Sequence, residues 1–339
     1  MTASCSLRSL QLPTLFPELD VQQLNQAGIV SAQDLVVADE RALQQATGLP
    51  AQQVQAIRAY VVQSCAALAL RAVDRLDHEL DNQLILSTGC SNLDSLLSGG
   101  IYSGEITELV GPTSSGKTQT CLHISTAVAC TTDSNVIYIS TNNEFSPTRL
   151  AAIHRGFATE GADIRNLTTT LEKIRVVFVH DLHSLLTVLE ELLQHLQAQD
   201  DQVILASKLI VIDSIASVIS PVIGTQLRGH ALTTRLARLL KVIAMDHAMG
   251  VLVTNYTVGQ HDRDADGGKR AALGQTWTHV PSTQILLGWG SLPTKSAASS
   301  SATRRIRIAE LRKSPRLTSG VGTPFAISES GLESVQYNE

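Results

Sequence analysis

Eight consecutive residues, Gly111-Pro112-Thr113-Ser114-Ser115-Gly116-Lys117-Thr118, satisfy the pattern G-x-x-x-x-G-K-[ST] at every fixed position. Each residue type has a job in holding phosphate. The glycines let the backbone wrap closely around an anion. The N–H groups at the start of the following helix point at it and carry partial positive charge. Lys117 is the cation for the β- and γ-phosphates, and the Thr118 hydroxyl is a magnesium ligand. The motif follows an apolar strand, ITELV (106–110), and opens a helix, which is the context it requires. The chemistry this predicts is binding of a nucleoside triphosphate, ATP with Mg2+.

A second candidate lies about 95 residues on. Lys208-Leu209-Ile210-Val211-Ile212-Asp213-Ser214 reads as a buried strand ending in an acid. A carboxylate there can hold magnesium from the C-terminal edge of a sheet, where α/β proteins bind ligands. Asp213 therefore joins Thr118 as the expected metal-holding pair, and Lys117 with Asp213 as expected catalytic groups.

These residues need a scaffold, and from residue 84 the pattern supplies one. ITELV (106–110), NVIYIS (135–140), IRVVFVH (174–180), KLIVIDS (208–214) and GVLVTN (250–255) are apolar runs of strand length. Several are apolar on consecutive residues, as in strands covered on both faces. Between them lie helix-length segments at Thr118–Cys130, Leu182–Ala198 and His230–His247. The alternation predicts an α/β fold with a mostly parallel, doubly wound sheet. QILLGWG (284–290) and RRIRIAEL (304–311), joined by a Ser/Ala-rich stretch at 291–303, read as an antiparallel extension.

The first 70 residues read differently. Leu19 to Ala27 is helical in pattern and stops at Gly28; Ser31 with Asp34, and then Asp39, look like helix starts; Gly48-Leu49-Pro50 looks like a stop. Val54, Ile57, Val61 and Leu68 recur at helical spacing. The expectation is a small all-α domain at 1–70, a charge-rich linker at 71–83, and an ATPase domain at 84–339.

Composition narrows the setting. No apolar run reaches the roughly 18 residues of a membrane helix, and the N-terminus lacks the pattern of a signal peptide. The five cysteines are odd in number and scattered, which reads as reduced thiols of the cytosol or nucleus. A net charge of −5 gives no global attraction for phosphate, so nucleic acid would be met through local patches. His180, His183 and His195 lack further metal-ligand partners at suitable spacing and read as ordinary core or surface histidines.

Thr88-Gly89 with Leu93-Asp94, Gly99-Gly100-Ile101, Gly104-Glu105-Ile106-Thr107-Glu108, Gly116-Lys117-Thr118-Gln119, Pro147 with Arg149-Leu150, and Val253-Thr254-Asn255 form a further pattern. Through these residues the region 84–333 resembles the RecA-like P-loop ATPase core of the RecA/Rad51 recombinase family. The D-type Rad51 paralogue branch is echoed by Leu86-Ser87-Thr88-Gly89, Tyr102-Ser103-Gly104-Glu105, Ser220-Pro221, Ala272-Leu273-Gly274 with Trp277, and Val280-Pro281-Ser282-Thr283. The resemblance implies a helix-hairpin-helix-like N-terminal domain, and a nucleotide site in which Gln119 and Arg149 join residues 111–118. It also implies a nuclear protein of homologous recombination repair working with other Rad51 paralogues in a heteromeric complex. One neighbour would grip the N-terminal domain and another the ATPase core, on single-stranded or branched DNA, with weak DNA-stimulated ATPase activity.

Matched to the family, Asn142 stands where recombinases carry the glutamate base, with Glu144 two residues on; Tyr256 stands where they carry a glutamine that senses the γ-phosphate. Asn cannot accept a proton, so either Glu144 substitutes or the site turns over slowly. Filament-forming relatives use a Phe-x-x-Ala linker motif; the comparable stretch here is Leu70-Arg71-Ala72-Val73. These departures weigh against a self-sufficient strand-exchange recombinase, while an adaptor that keeps ATP as a clamp is the non-enzymatic alternative. The family's DNA loops map onto about 222–229 and 258–271, which makes Arg228, Arg263, Lys269 and Arg270 the expected DNA contacts. Arg305 and Arg307 fall on one face of a strand, either contacting phosphate across a subunit border or serving as a charged edge. Trp277 is expected to pack beside the ATP edge.

Overall fold

The computed structural model describes residues 7, 10, 12, 16–17, 19–29, 31–65, 72–73, 83–159, 166–223, 227–258, 270–271, 273, 277–290 and 306–335. The chain divides into two compact units, residues 1–81 and 82–339. In the first, helices α1 (Val21–Gln26), α2 (Ala32–Val37), α3 (Glu40–Thr47) and α4 (Ala51–Cys65) follow one another. Their ends carry the expected signals. Ser31 and Asp34 form a reciprocal capping box, Ser31 Oγ accepting from Asp34 N–H at 3.1 Å and Asp34 accepting from Ser31 N–H at 2.9 Å. Gly48 closes α3 in the left-handed conformation. Asp39 sits at the N-cap of α3 but makes no side-chain capping bond. Val54, Ile57 and Val61 of α4 are buried together with Leu24, Leu35 and Leu43 of the three shorter helices. Arg58 donates to the carbonyls of Leu35 and Ala38, tying α4 to the end of α2. Of the expected linker, only Ala72, Val73 and Gln83 are described.

The second unit opens with β1 (Ile85–Leu86), α5 (Ser91–Leu97) and β2 (Ile101–Tyr102), followed by β3 (Ile106–Gly111), α6 (Lys117–Thr131), β4 (Asn135–Ser140), α7 (Pro147–Thr159) and α8 (Leu167–Glu172). Then come β5 (Ile174–Phe178), α9 (Leu182–Ala198), α10 (Gln202–Leu205), β6 (Ser207–Asp213), α11 (Ile215–Ile223), α12 (Leu227–Asp246), β7 (Gly250–Val258) and β8 (Arg270–Ala271). Four strands follow: β9 (Thr283–Trp289), β10 (Ile306–Lys313), β11 (Gly322–Ser328) and β12 (Gly331–Ser334).

The main sheet runs β12-β11-β10-β9-β3-β7-β6-β4-β5, with β8 paired to β7. The six strands from β9 to β5 are mutually parallel, and β10, β11 and β12 extend the sheet antiparallel. Period-two alternation sends the strand residues to two cores. Leu109, Val136, Tyr138, Leu209, Val211 and Leu252 pack with α6 and α7, whereas Ile137, Ile139, Ile210, Ile212, Val251 and Val253 pack with α9, α11 and α12. Burial on both faces is why these strands read as continuous apolar runs. Strands β1, β2, β8, β11 and β12 and the helices α5, α7, α8, α10 and α11 carry no clear signal in the sequence, their stretches being short or weakly periodic.

α6 is enclosed along nearly its whole length, including its histidine. His123 is 2 % exposed; its Nδ1 accepts from Leu332 N–H at 3.1 Å, which leaves the proton on Nε2, facing the Gly89 carbonyl at 3.2 Å. Burial pulls this imidazole from 6.5 down to about 4, with the Gly89 hydrogen bond opposing. The folded state keeps His123 neutral while the unfolded chain takes up a proton as pH falls below about 6.5. Stability is therefore lost between about pH 6.5 and about pH 4, by about 3 kcal/mol in full. Denaturation of the second unit within the full chain should show a lower midpoint at pH 5 than at pH 7.5, and His123→Gln should flatten that difference while lowering stability at pH 7.5. An unchanged pH 5 loss in His123→Gln would assign the effect elsewhere.

Candidate nucleotide-binding site

The parallel strands β3, β4, β6, β7 and β9 end along one edge of the sheet, and most of the candidate residues meet there. β3 delivers the loop 111–116 directly from its last residue. A side chain on Gly111 would put its Cβ 2.4 Å from the Leu287 carbonyl and 2.6 Å from Ser115 Oγ, so only glycine fits. Gly116 is the N-cap of α6 with φ 106°, a conformation that favours glycine for a second reason. Thr113 and Ser114 are exposed at the tip and Pro112 is half-buried, while Ser115 is fully buried, its hydroxyl among the few buried side-chain polar atoms without a protein partner. The loop is thus a narrow backbone cradle with an inward hydroxyl at the start of a 15-residue helix.

The cation and carboxylates gather around it. Lys117 Nζ donates to the carbonyls of Gly111 at 2.8 Å and Pro112 at 2.9 Å, so the ammonium lies back over the loop. Burial lowers its pKa, and Asp213 is the largest opposing influence. Asp213, at the end of β6, is 5 % exposed; Oδ1 accepts from Thr254 at 2.6 Å and Oδ2 from Tyr138 at 2.9 Å. Tyr138 is enclosed, and burial together with Asp213 holds its hydroxyl protonated, as a donor must be. Neighbouring strands β4 and β7 therefore fix the rotamer of this acid from both sides.

The two alternatives for the missing base separate in space. Thr141 anchors the turn after β4: its hydroxyl lies 2.9 Å from the Ser214 carbonyl and 2.6 Å from Ser217 Oγ, and its N–H donates to Asp213 O. Beyond it Asn142 is exposed, Asn143 adopts φ 56°, and the chain turns so that Glu144 Oε2 accepts from Thr118 Oγ1 at 3.2 Å. On the far flank Arg149 Nε donates to Gln119 Oε1 at 2.7 Å, and its terminal nitrogens donate to the carbonyls of Ser328 and Glu329. Gln119 and Arg149 are thus brought together.

The sequence of the chain is similar to that of a known group of proteins. The sequence model described as Rad51 matches residues 80–335. The chain belongs to the Rad51 family. It is 35 % identical over 332 residues to the DNA repair protein RAD51 homolog 4 of Bos taurus, covering 97 % of both chains. It is 29 % identical to the DNA repair protein RAD51 homolog 2 of Homo sapiens, covering 78 % of this chain and 76 % of that one. The archaeal DNA repair and recombination protein RadA of Metallosphaera sedula is 26 % identical, with 93 % and 92 % covered.

Other residues of this Rad51-family chain carry roles its sequence did not reveal. Tyr256 stands opposite Gly111 in the β3–β7 register, yet its hydroxyl meets Ser220 Oγ of α11 at 2.7 Å. Trp277, expected beside the ATP edge, is instead 1 % exposed inside the core, where Nε1 donates to Glu108 Oε1 at 2.9 Å. Glu108 also accepts from Asn255 at 2.8 Å and from Gln284 at 2.6 Å, and is wholly buried. A lone acid inside the apolar strand ITELV was the available signal. Of the DNA candidates, Arg263 and Lys269 lie outside the described residues. Arg228 falls in the first turn of α12, and Arg270 lies on β8, paired with Val258. Glu108→Ala would leave two buried donors, on Asn255 and Trp277, and the half-buried Gln284 amide without their acceptor, and should cost on the order of 3–5 kcal/mol. Glu108→Gln should cost far less, because the amide oxygen still serves two donors and Gln284 can flip to accept from the new amide. Denaturant titrations of both variants check this, and equal losses would refute it.

Proposed function

We propose that this chain is an ATP- and magnesium-binding Rad51-paralogue subunit of a nuclear recombination-repair complex, which engages single-stranded DNA and hydrolyses ATP slowly under DNA stimulation. The observation that carries the reading is the convergence of Lys117, Thr118, Asp213 and Glu144 on one glycine cradle at the sheet edge. The residues fit the group: a backbone loop too tight for side chains suits phosphate, and a hydroxyl with nearby carboxylates suits a hard cation. Lys117 and the loop amides would hold the phosphates, Thr118 and Asp213 the magnesium, and Gln119 with Arg149 the remainder of the nucleotide. Magnesium, when bound, neutralises charge that builds up as phosphate is transferred.

Kinship supports the repair setting, since the relatives are named for DNA repair and recombination. Partner paralogues would take up the N-terminal unit and the ATPase core separately, a reading motivated by the division of the chain into two compact units. Arg228, Arg263, Lys269 and Arg270 are the residues proposed to meet the DNA backbone.

Glu144, whose carboxylate meets Thr118, is assigned the base: its Oε2 would take the proton of the attacking water, with Asn142 outside that role. This favours a slow ATPase over the pure clamp. Lys117→Ala should weaken Mg-ATP binding by about 10–100-fold, since it removes a charged donor from a phosphate cradle. Calorimetry on the wild type and the variant decides, and equal affinities would overturn the central claim. Glu144→Gln should lower DNA-stimulated phosphate release by roughly 10²–10⁴-fold, while Asn142→Glu changes it by less than about threefold. The reverse ranking would return the base role to position 142.

A further inference from the structure

Glu144 is exposed and meets Thr118 through one hydroxyl contact of 3.2 Å. An exposed glutamate has many rotamers, and one such contact does little to choose among them. Where its carboxylate can reach is therefore set by the backbone of the turn 141–145, and that turn is anchored at both ends. After Glu144, the Phe145 ring packs edge-on against Tyr138, whose hydroxyl bonds Asp213; the two ring centroids are 4.9 Å apart. At the start of the turn stands Thr141, 6 % exposed.

Thr141 grips both polar groups of one peptide unit. Its N–H donates to the Asp213 carbonyl at 2.8 Å, and its Oγ1 accepts from the Ser214 N–H at 2.7 Å. The same hydroxyl lies 2.6 Å from Ser217 Oγ and 2.9 Å from the Ser214 carbonyl, and Ser217 Oγ lies 2.7 Å from that carbonyl as well. A threonine hydroxyl has one proton and two lone pairs. The Ser214 N–H takes one lone pair, the proton goes to Ser217 Oγ or to the Ser214 carbonyl, and the serine hydroxyl completes the set. The turn after β4, the end of β6 and the start of α11 thus share one closed hydroxyl cluster.

The two strands do not need this hydroxyl to stay together, because the parallel ladder already sets Ser140 beside Asp213. The cluster sits where that ladder ends and the chains part, one toward Glu144 and the other into α11. A shift there tilts Glu144 relative to Asp213, while the phosphate loop, carried by β3, stays where it is. We infer that Thr141 is a positioning residue for ATP hydrolysis: through the turn it heads, its hydroxyl holds the Glu144 carboxylate beside Thr118 at a fixed offset from Asp213. The inference rests on the assignment of Glu144 as the base and adds to it the residue that sets its place.

The test separates positioning from a tie of the fold. Thr141→Val keeps the shape and loses the hydroxyl; Thr141→Ser keeps the hydroxyl. DNA-stimulated phosphate release and calorimetric Mg-ATP affinity are measured on the full chain for each. Thr141→Val should lower kcat by about 10–100-fold while Mg-ATP affinity stays within about threefold, and Thr141→Ser should recover most of the rate. In the Glu144→Gln background, Thr141→Val should lower the rate by less than about threefold further, because a residue acting through the base then has nothing left to position. A full rate in Thr141→Val, with Glu144→Gln impaired, overturns the inference and leaves the base assignment standing. So does a Thr141→Val loss that multiplies in full with that of Glu144→Gln, or a parallel loss of rate and affinity, which marks a structural tie alone. If Thr141→Val does not fold, Ser217→Ala takes its place: it removes the far hydroxyl of the cluster and should lower kcat by about 3–10-fold, and an undiminished rate overturns the inference. A wild-type rate in Glu144→Gln, or a wild type that releases no phosphate, removes the base assignment and this inference together.

Discussion

One buried carboxylate, Glu108, holds the centre of the sheet in register. It is enclosed on β3 and accepts from Asn255 on β7, Gln284 on β9 and the indole of Trp277. Burying a carboxylate is costly unless it is hydrogen-bonded, and here donors from three segments meet it. β3 is also the strand that delivers the phosphate loop. The position of Gly111 relative to the ends of β7 and β9 thus depends on an acid three residues earlier in the same strand.

The site at the strand ends is built by the same kind of lateral bonding. Tyr138 from β4 and Thr254 from β7 occupy the two oxygens of Asp213 on β6, the strand between them. Thr141 ties the turn after β4 to the residues just beyond Asp213. A carboxylate held by its neighbours' hydroxyls is set before a ligand arrives, which is the condition for electrostatic stabilisation without reorganisation. The loops that would meet DNA leave this rigid edge from α11 and β7, and the Tyr256–Ser220 bond joins those two elements directly opposite Gly111.

Tyr256 reaches farther than a shorter polar residue would. Its hydroxyl reaches past the loop to α11 and closes a hydrogen bond there, linking β7 to the helix preceding the first proposed DNA segment. Likewise the chain reversal at Asn143, with its left-handed backbone, brings the Glu144 carboxylate to Thr118.

The sequence by itself determined the glycine loop between β3 and α6, the acid ending β6, the parallel α/β core and the capped helices of the first unit. Each of these is written in local spacing: a fixed eight-residue pattern, runs of apolar residues, or a Ser and an Asp three residues apart. Only the tertiary structure decided which carboxylate meets Thr118, that Tyr256 turns to Ser220, that Trp277 serves Glu108, and that Arg307 lies against Gly116. Those contacts join residues between 26 and 191 positions apart by the numbering. Their adjacency follows from strand order and register in the sheet, which interaction among all the strands sets, and no local periodicity encodes it.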